Sequence, residues 1–265
     1  MKIVVCLKQV PGSMDIKVDA LTNRVIRAGI DSVINPFDVY ALEEGLRIKE
    51  RYGGTVSVIS MGPLHCMSAL REALSFGADK AALVSGAEFA GADTLATAYA
   101  LSAAIAKAGG ADIVVMGRQT IDGGTGQVGP QVAEFLGIPH ITTVCKIESI
   151  DGNDSIIVEK LVDDGVMVLA CSLPVLLTVV KDINKPRFPS LKDRIRAKKV
   201  EIPVWGPDDI CFDKRYVGAA GSATAVEQYD VPDAVEKTRK IFSGVAEETV
   251  KDLLHELTAV RKIFS

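Results

Sequence analysis

Asp122 to Pro130 reads DGGTGQVGP and follows the apolar run Asp112 to Met116 and the turn Gly117 to Ile121, giving the order strand, glycine loop, helix. Gly123, Gly124 and Gly126 let the backbone take conformations closed to other residues, and Thr125, Gln127 and Val128 can aim N–H groups outward where the helix begins. A turn of that build holds phosphate. It has no lysine of the P-loop kind, and we read it as distinct also from the GxGxxG fingerprint of dinucleotide-binding dehydrogenases. On its own, such a loop is equally well a plain connection between strand and helix.

Other chemistries have little support. His65, His140 and His255 lie far apart, without ligand spacing or an HExxH motif, so no metal site is expected. There is no GxSxG and no Ser/His/Asp order for a hydrolytic triad. Cys6, Cys66, Cys145, Cys171 and Cys211 are odd in number and form no CxxC pair, which fits reduced thiols and a cytoplasmic protein. No catalytic side chain stands out, so any electrons or hydrides that move must be carried by a bound cofactor.

The chain has 265 residues, 48% of them hydrophobic, enough to bury a large core. A net charge of −4 and 5% aromatic residues argue against a nucleic-acid partner. MKIVVCLKQVPG reads as a first strand rather than a signal peptide, and no segment is apolar enough to span a bilayer.

The elements that must position the loop follow from periodicity. Ile3–Leu7, Val56–Ser60, Ala81–Val84 and Ile113–Met116 are β-branched runs typical of strands buried on both faces. Helices are expected from Asn35 (cap) and Pro36 to Gly53-Gly54, from Cys66 to Phe76, after Asp93 to Gly109-Gly110, and from the glycine loop to about Gly137. This alternation gives an α/β fold, a mostly parallel sheet with helices on both faces. Ligands then bind beyond the carboxyl ends of the strands, here Cys6 to Lys8, Met61 to Pro63, Ser85 to Asp93 and Gly117 to Gly129, where the glycine loop lies. From Val144 to Val180 the pattern changes to antiparallel strands with turns at Gly152 and Gly165, either a continuation of the sheet edge or a small added layer.

Lys181 to Lys199 carries eight basic residues, Lys181, Lys185, Arg187, Lys192, Arg194, Arg196, Lys198 and Lys199, against Asp182 and Asp193. Such a patch is either a solvated face or a dock for an acidic partner. Residues 206–230 read as an extended arm. A C-terminal helix from Glu247 places Val250, Leu253, Leu254, Leu257, Val260, Ile263 and Phe264 on one face, suited to embracing another subunit or folding back on the core.

VVCLKQVP, NPFD, DGGTGQVGP and EKLVDDGVMVLACSLPVLLTVVKDINKPRF together resemble the β subunit of electron transfer flavoproteins, a resemblance that runs from Met1 to Ile202 and includes MGPLHC and GADTLAT. It implies an adenine-nucleotide α-hydrolase-like domain over residues 1–204, and an arm and helix over 205–265 that pack on an α subunit. By the same resemblance Cys6, Asn35, Pro36, Phe37, Asp38, Met61, Asp122, Gly123, Gly124, Thr125, Gly126, Gln127, Val128 and Gly129 line a nucleotide pocket. Asp93, Thr94 and Thr97 offer polar groups to a ribityl or ribose chain, although Asp93 is also a plain N-cap.

One branch of that family holds AMP as a structural piece and another, electron-bifurcating, holds a second FAD. DGGTGQVGP and GADTLAT are similar to the second branch, with glycine at 124 and 126 where an acid and an alanine are usual. FAD is thus the expected cofactor and NADH the donor, with AMP the alternative. The resemblance further implies transfer to an α-subunit FAD and on to an acyl-CoA dehydrogenase-like flavoprotein, with ferredoxin or flavodoxin taking a low-potential electron. Within a recognition loop at 181–190, Ile183 is the expected apolar anchor beside Asn184, Pro186 and Arg187. A nucleotide-binding module with no redox role is the reading from outside that class.

Overall fold

The computed structural model describes residues 1–12, 17–19, 24–26, 32–152, 154–227 and 239–260, with side chains outside the description at 17–19, 24–26, 259 and 260. Thirteen strands occur there: β1 (Lys2–Cys6), β2 (Gln9–Pro11), β3 (Lys17–Asp19), β4 (Arg24–Ile26), β5 (Ser32–Ile34), β6 (Thr55–Met61), β7 (Lys80–Val84), β8 (Ile113–Gly117), β9 (His140–Asp151), β10 (Ser155–Val162), β11 (Gly165–Ser172), β12 (Val175–Val179) and β13 (Val204–Trp205). The helices are α1 (Pro36–Tyr52), α2 (Met67–Phe76), α3 (Thr94–Lys107), α4 (Val128–Leu136), α5 (Leu191–Lys199), α6 (Gly218–Gly221) and α7 (Ala246–His255).

Nine strands form one sheet in the order β11-β10-β9-β12-β8-β1-β6-β7-β13, and β2-β5 and β3-β4 form two short antiparallel pairs. From β9 through β12, β8, β1, β6 and β7 to β13 every pairing is parallel. Period-2 alternation explains the two-sided core. In β1, Ile3 and Val5 face α1 and α2 together with Leu42, Leu70 and Val115, whereas Val4 and Cys6 face α3 and α4 together with Leu101, Ile105 and Val132.

The order of strands creates the crevice. From β1 the chain winds through α1 to β6 and through α2 to β7 on one side, and α3 then returns it to β8 on the other side of β1. Connections leaving β1 and β8 therefore diverge to opposite faces, the arrangement that opens a binding crevice at the carboxyl ends of parallel strands.

The antiparallel region continues the edge of the main sheet, with β9, β10 and β11 as a meander. Other sequence expectations need correction. The last segment of that region, β12, is parallel and sits between β9 and β8, because Val175, Leu176, Leu177 and Val179 are apolar and fully buried on both faces. The segment after Trp205 stays with the domain: β13 pairs with β7, Phe212 meets Phe89 edge-on at 5.4 Å, and Asp213 N–H donates to Tyr99 Oη at 3.0 Å. The chain divides into units Met1–Gln228 and Tyr229–Ser265, later than the 204/205 boundary read from sequence. In the second unit α7 begins at Ala246, exposes Val250, Leu253 and Leu254, and passes into a π-helical turn at Glu256–Val260. Ile263 and Phe264, and the side chain of Val260, lie outside the described residues. Among the described residues no helix is long and apolar enough to cross a membrane.

Candidate functional site

A cleft of about 640 Å³ opens between the carboxyl ends of β1, β6, β7 and β8. Its wall takes Cys6 to Lys8 from β1, Met61 to Pro63 from β6, Gly86 and Phe89 to Thr94 after β7, and Met116 to Thr120 after β8. Gly123 and Thr125 to Gly129 close it. Of the residues singled out in the sequence, Cys6, Asp38, Met61, Asp93, Thr94, Thr97, Gly123, Thr125, Gly126, Gln127, Val128 and Gly129 come together in this wall. Asn35, Pro36, Phe37, Asp122 and Gly124 do not line it.

NPFD does its work behind the wall. Asn35 sits at the start of α1 but makes no side-chain cap, contrary to the expectation, because its amide is engaged by the turn after β8. Its Nδ2 donates to Gln119 O at 2.9 Å and its Oδ1 accepts from Ile121 N–H at 3.2 Å, so it fixes the turn before the glycine loop. Asp38, 5% exposed, accepts from Lys8 N–H at 2.8 Å and Gly117 N–H at 3.2 Å. Burial pushes its carboxyl up to about 7, outweighing the lowering effects of those N–H groups, Asn35 and the Lys8 charge. Burial, together with the Asp38 charge, pushes the Cys6 thiol up to about 12, so it lines the cleft as a neutral thiol.

The glycine loop has the geometry of a phosphate cradle. Gly124 and Gly126 have φ of 63° and 64°, the left-handed region that favours glycine. A Cβ at Gly129 would fall 2.5 Å from Thr178 Cγ2, so glycine lets α4 lie against β12. Gly124, Gly126 and Gly129 thus have the spacing G-x-G-x-x-G, and the reading that set this loop apart from that fingerprint is withdrawn. These are the turn, approach and packing roles that the fingerprint glycines serve. What differs is position, because the loop follows β8 and not the first strand.

At the start of α4, Gln127 makes no side-chain cap, and the Val128 and Gly129 N–H groups belong to the first turn, which has no intrahelical acceptors. That end carries partial positive charge. Lys8 Nζ stands at the same mouth, 2.7 Å from Asp122 Oδ2. Burial disfavours the Asp122 carboxylate, but Lys8 and Thr120 outweigh it and hold its pKa low. The residues present therefore suit a phosphate-bearing ligand in a crevice of the size small-molecule sites require.

Asp93 proves to be chiefly structural. Its Oδ1 caps α3 by accepting from Ala96 N–H at 3.0 Å, and its Oδ2 accepts from Thr224 N–H and Oγ1 at 3.0 and 3.1 Å. Thr94 Oγ1 donates to Gln127 Oε1 at 3.0 Å, tying the starts of α3 and α4 together across the cleft. Thr97 lines the cleft one turn further on. Lys8, Phe89 to Ala92 and Arg118 to Thr120 line the cleft as parts of the strand ends where the sequence places a ligand, whereas Leu101, inside α3, was not singled out and carries no local signal.

The basic segment gives a second surface, differently built from the expectation. Ile183 is half-buried and packs on the core. Asn184 is buried, its Nδ2 donating to Tyr40 O at 3.0 Å and Glu44 Oε2 at 2.9 Å. Arg187 Nε donates to Glu43 Oε2 at 2.8 Å, and its guanidinium also bonds Glu50. Arg196 is tied down by Leu74 O and Ala78 O at 3.0 and 2.9 Å. The exposed apolar groups here are Phe188 at 94%, Leu191 at 75% and Ile195 at 52%. Asn184 and Arg187 thus hold the loop to α1, and Phe188 is what it presents.

Burial works against an ionised Glu43, but hydrogen bonds from Arg187 and Arg47 outweigh it and hold its carboxyl below the usual 4.5. Such a group contributes stability that is present above its unfolded pKa and lost as pH falls through the lower folded one. Arg187→Gln should therefore lower stability at pH 7 by roughly 1–3 kcal/mol, the scale of hydrogen bonds to a charged group. Urea midpoints of the two proteins should converge as pH is taken below about 4.5. A gap that persists at low pH would contradict this account of Glu43.

Comparison with known proteins agrees with this architecture. A family described as "Electron transfer flavoprotein domain" matches residues 22–210. The chain is 48% identical over 260 residues to the electron transfer flavoprotein subunit beta of Thermoanaerobacterium thermosaccharolyticum, covering 98% of each. It is 48% identical over 228 residues to the subunit beta of Clostridium acetobutylicum, covering 86% of this chain and 87% of the relative. Protein FixA of Sinorhizobium fredii is 40% identical over 283 residues, with 99% of each covered. With a matched domain spanning most of its parallel sheet and relatives aligned end to end, the chain belongs to the electron transfer flavoprotein family, among the β subunits and FixA proteins.

Proposed function

We propose that this chain is the β subunit of a heterodimer with an electron transfer flavoprotein α subunit, and that its cleft holds FAD. The observation that carries the reading is the G-x-G-x-x-G loop with left-handed glycines at 124 and 126, opening α4 at the β1/β8 crevice without a side-chain cap. Such a loop lets backbone N–H groups approach a pyrophosphate, which a dinucleotide has and AMP lacks. When bound, FAD supplies acceptance of hydride from NADH and single-electron delivery, to the α-subunit FAD and a dehydrogenase on one route and to ferredoxin or flavodoxin on the other.

This chain's own part is positional. Val128 and Gly129 direct the α4 N-terminus at the phosphates, and Lys8 lies at the mouth, ion-paired with Asp122. Phe89 and Leu101 give apolar wall, and Ala90, Gly91 and Ala92 leave room beside it. Denaturing the complex with its α subunit and quantifying released nucleotide tests the proposal. Two FAD and no AMP per heterodimer are expected, and one FAD with one AMP would make this chain a structural β subunit instead.

Delivery to a dehydrogenase needs a docking surface, and Phe188 with Leu191 and Ile195, set among Lys185, Lys192 and Lys198, suits an apolar pocket with an acidic rim. Phe188→Asp should lower kcat/KM for reduction of the dehydrogenase about tenfold or more, while nucleotide content stays that of the wild type. Unchanged transfer would remove this surface from the proposal.

A further inference from the structure

Asp38 is a buried carboxyl behind the cleft, shared by the segment leaving β1 and the end of β8. Its Oδ2 accepts from Lys8 N–H, 30 residues away, and its Oδ1 from Gly117 N–H, 79 residues away. Those amides belong to the segment leaving β1 and to the last residue of β8, on either side of the crevice. Contact at Gly117 is so close that an added Cβ would collide with Asp38 Oδ1 and with Phe37. One buried carboxyl therefore joins both lips of the crevice, behind the more exposed Lys8–Asp122 ion pair at its mouth.

We infer that Asp38 is a positioning residue of the nucleotide site: by accepting both N–H groups it fixes the spacing of the β1 and β8 exits and thereby the nucleotide's residence time. This rests on the nucleotide reading of the cleft, and not on which nucleotide is bound.

Two further observations support it. Burial pushes the Asp38 carboxyl up to about 7 from 3.8, so the stability it contributes below 3.8 is lost as pH rises through about 7. Buried carboxyls with raised pKa cluster at functional sites. Asn35 meanwhile fixes Gln119 and Ile121 independently, so the loop keeps an anchor when Asp38 is changed. The titratable or charged groups that act on Asp38 are Cys6 and Lys8 from β1's end, whereas β5 and β12 carry no titratable side chain.

Asp38→Asn has the same shape but presents an NH₂ group to one of the two amides, and Asp38→Ser withdraws both oxygens. Both are to be made in the heterodimer and compared with wild type at pH 8. The first reading is dissociation of the nucleotide held beyond the first FAD, chased with excess FAD and AMP. The second is hydrogen exchange by segment. Dissociation about tenfold faster in Asp38→Asn, and faster still in Asp38→Ser, is expected. Exchange should rise only in the segments that contain Lys8 and Gly117. Unchanged dissociation overturns the inference, as does exchange that rises throughout β1, β6 and β8, because that marks a general stabilising role. Failure of both variants to assemble overturns it too. A wild-type heterodimer with no nucleotide beyond one FAD would instead sink the nucleotide reading, and this inference with it.

Discussion

The meeting of three chain segments behind the cleft is the constraint on which the rest depends. β1 and β8 are neighbours in the sheet, yet their connections leave to opposite faces, and a crevice with diverging lips has nothing in its strand pairing to set its width. The start of α1 supplies what pairing cannot. Asn35 bonds across to Gln119 and Ile121, and Asp38 to Lys8 and Gly117, so four backbone groups from two exits are referred to one rigid helix. Buried polar groups of this kind are worth having only when fully engaged, and here each oxygen of Asp38 has an N–H partner.

The same helix carries the second surface. Its inward acids Glu43 and Glu44, buried beside apolar neighbours, receive Arg187 and Asn184 from the basic loop, with Glu50 completing the arginine's partners. α1 thus holds the cleft at its first turn and the exposed Phe188 loop along its middle. Cofactor and docking partner are placed by one element whose own packing is ordinary: Ala41, Leu42, Leu46 and Ile48 buried against the sheet.

Much of this was legible in the sequence because it is local. Four of the parallel strands, α1 to α4 and the glycine loop follow from β-branched runs, helical periodicity and turn residues, and each is found within a residue or two of its expected place. What could not be read depends on partners far away in sequence. Asn35 looks like a helix cap until Gln119 and Ile121 are beside it, and Arg187 looks like a docking charge until Glu43, 144 residues earlier, is seen to hold it. β12 reads as antiparallel because it follows a hairpin, and its slot between β9 and β8 is decided only by where a fully apolar strand can be buried. The glycine spacing was in plain view in GTGQVG, and its meaning rests on Thr178 lying against Gly129, which no local pattern tells.

A crystal structure of the complex with its α subunit, at a resolution that shows nucleotide density, tests the central claim most directly. The account predicts a nucleotide between the exits of β1 and β8, with phosphate oxygens within hydrogen-bond reach of the Val128 and Gly129 N–H groups. An empty cleft, or a nucleotide bound with its phosphates away from the start of α4, would contradict it.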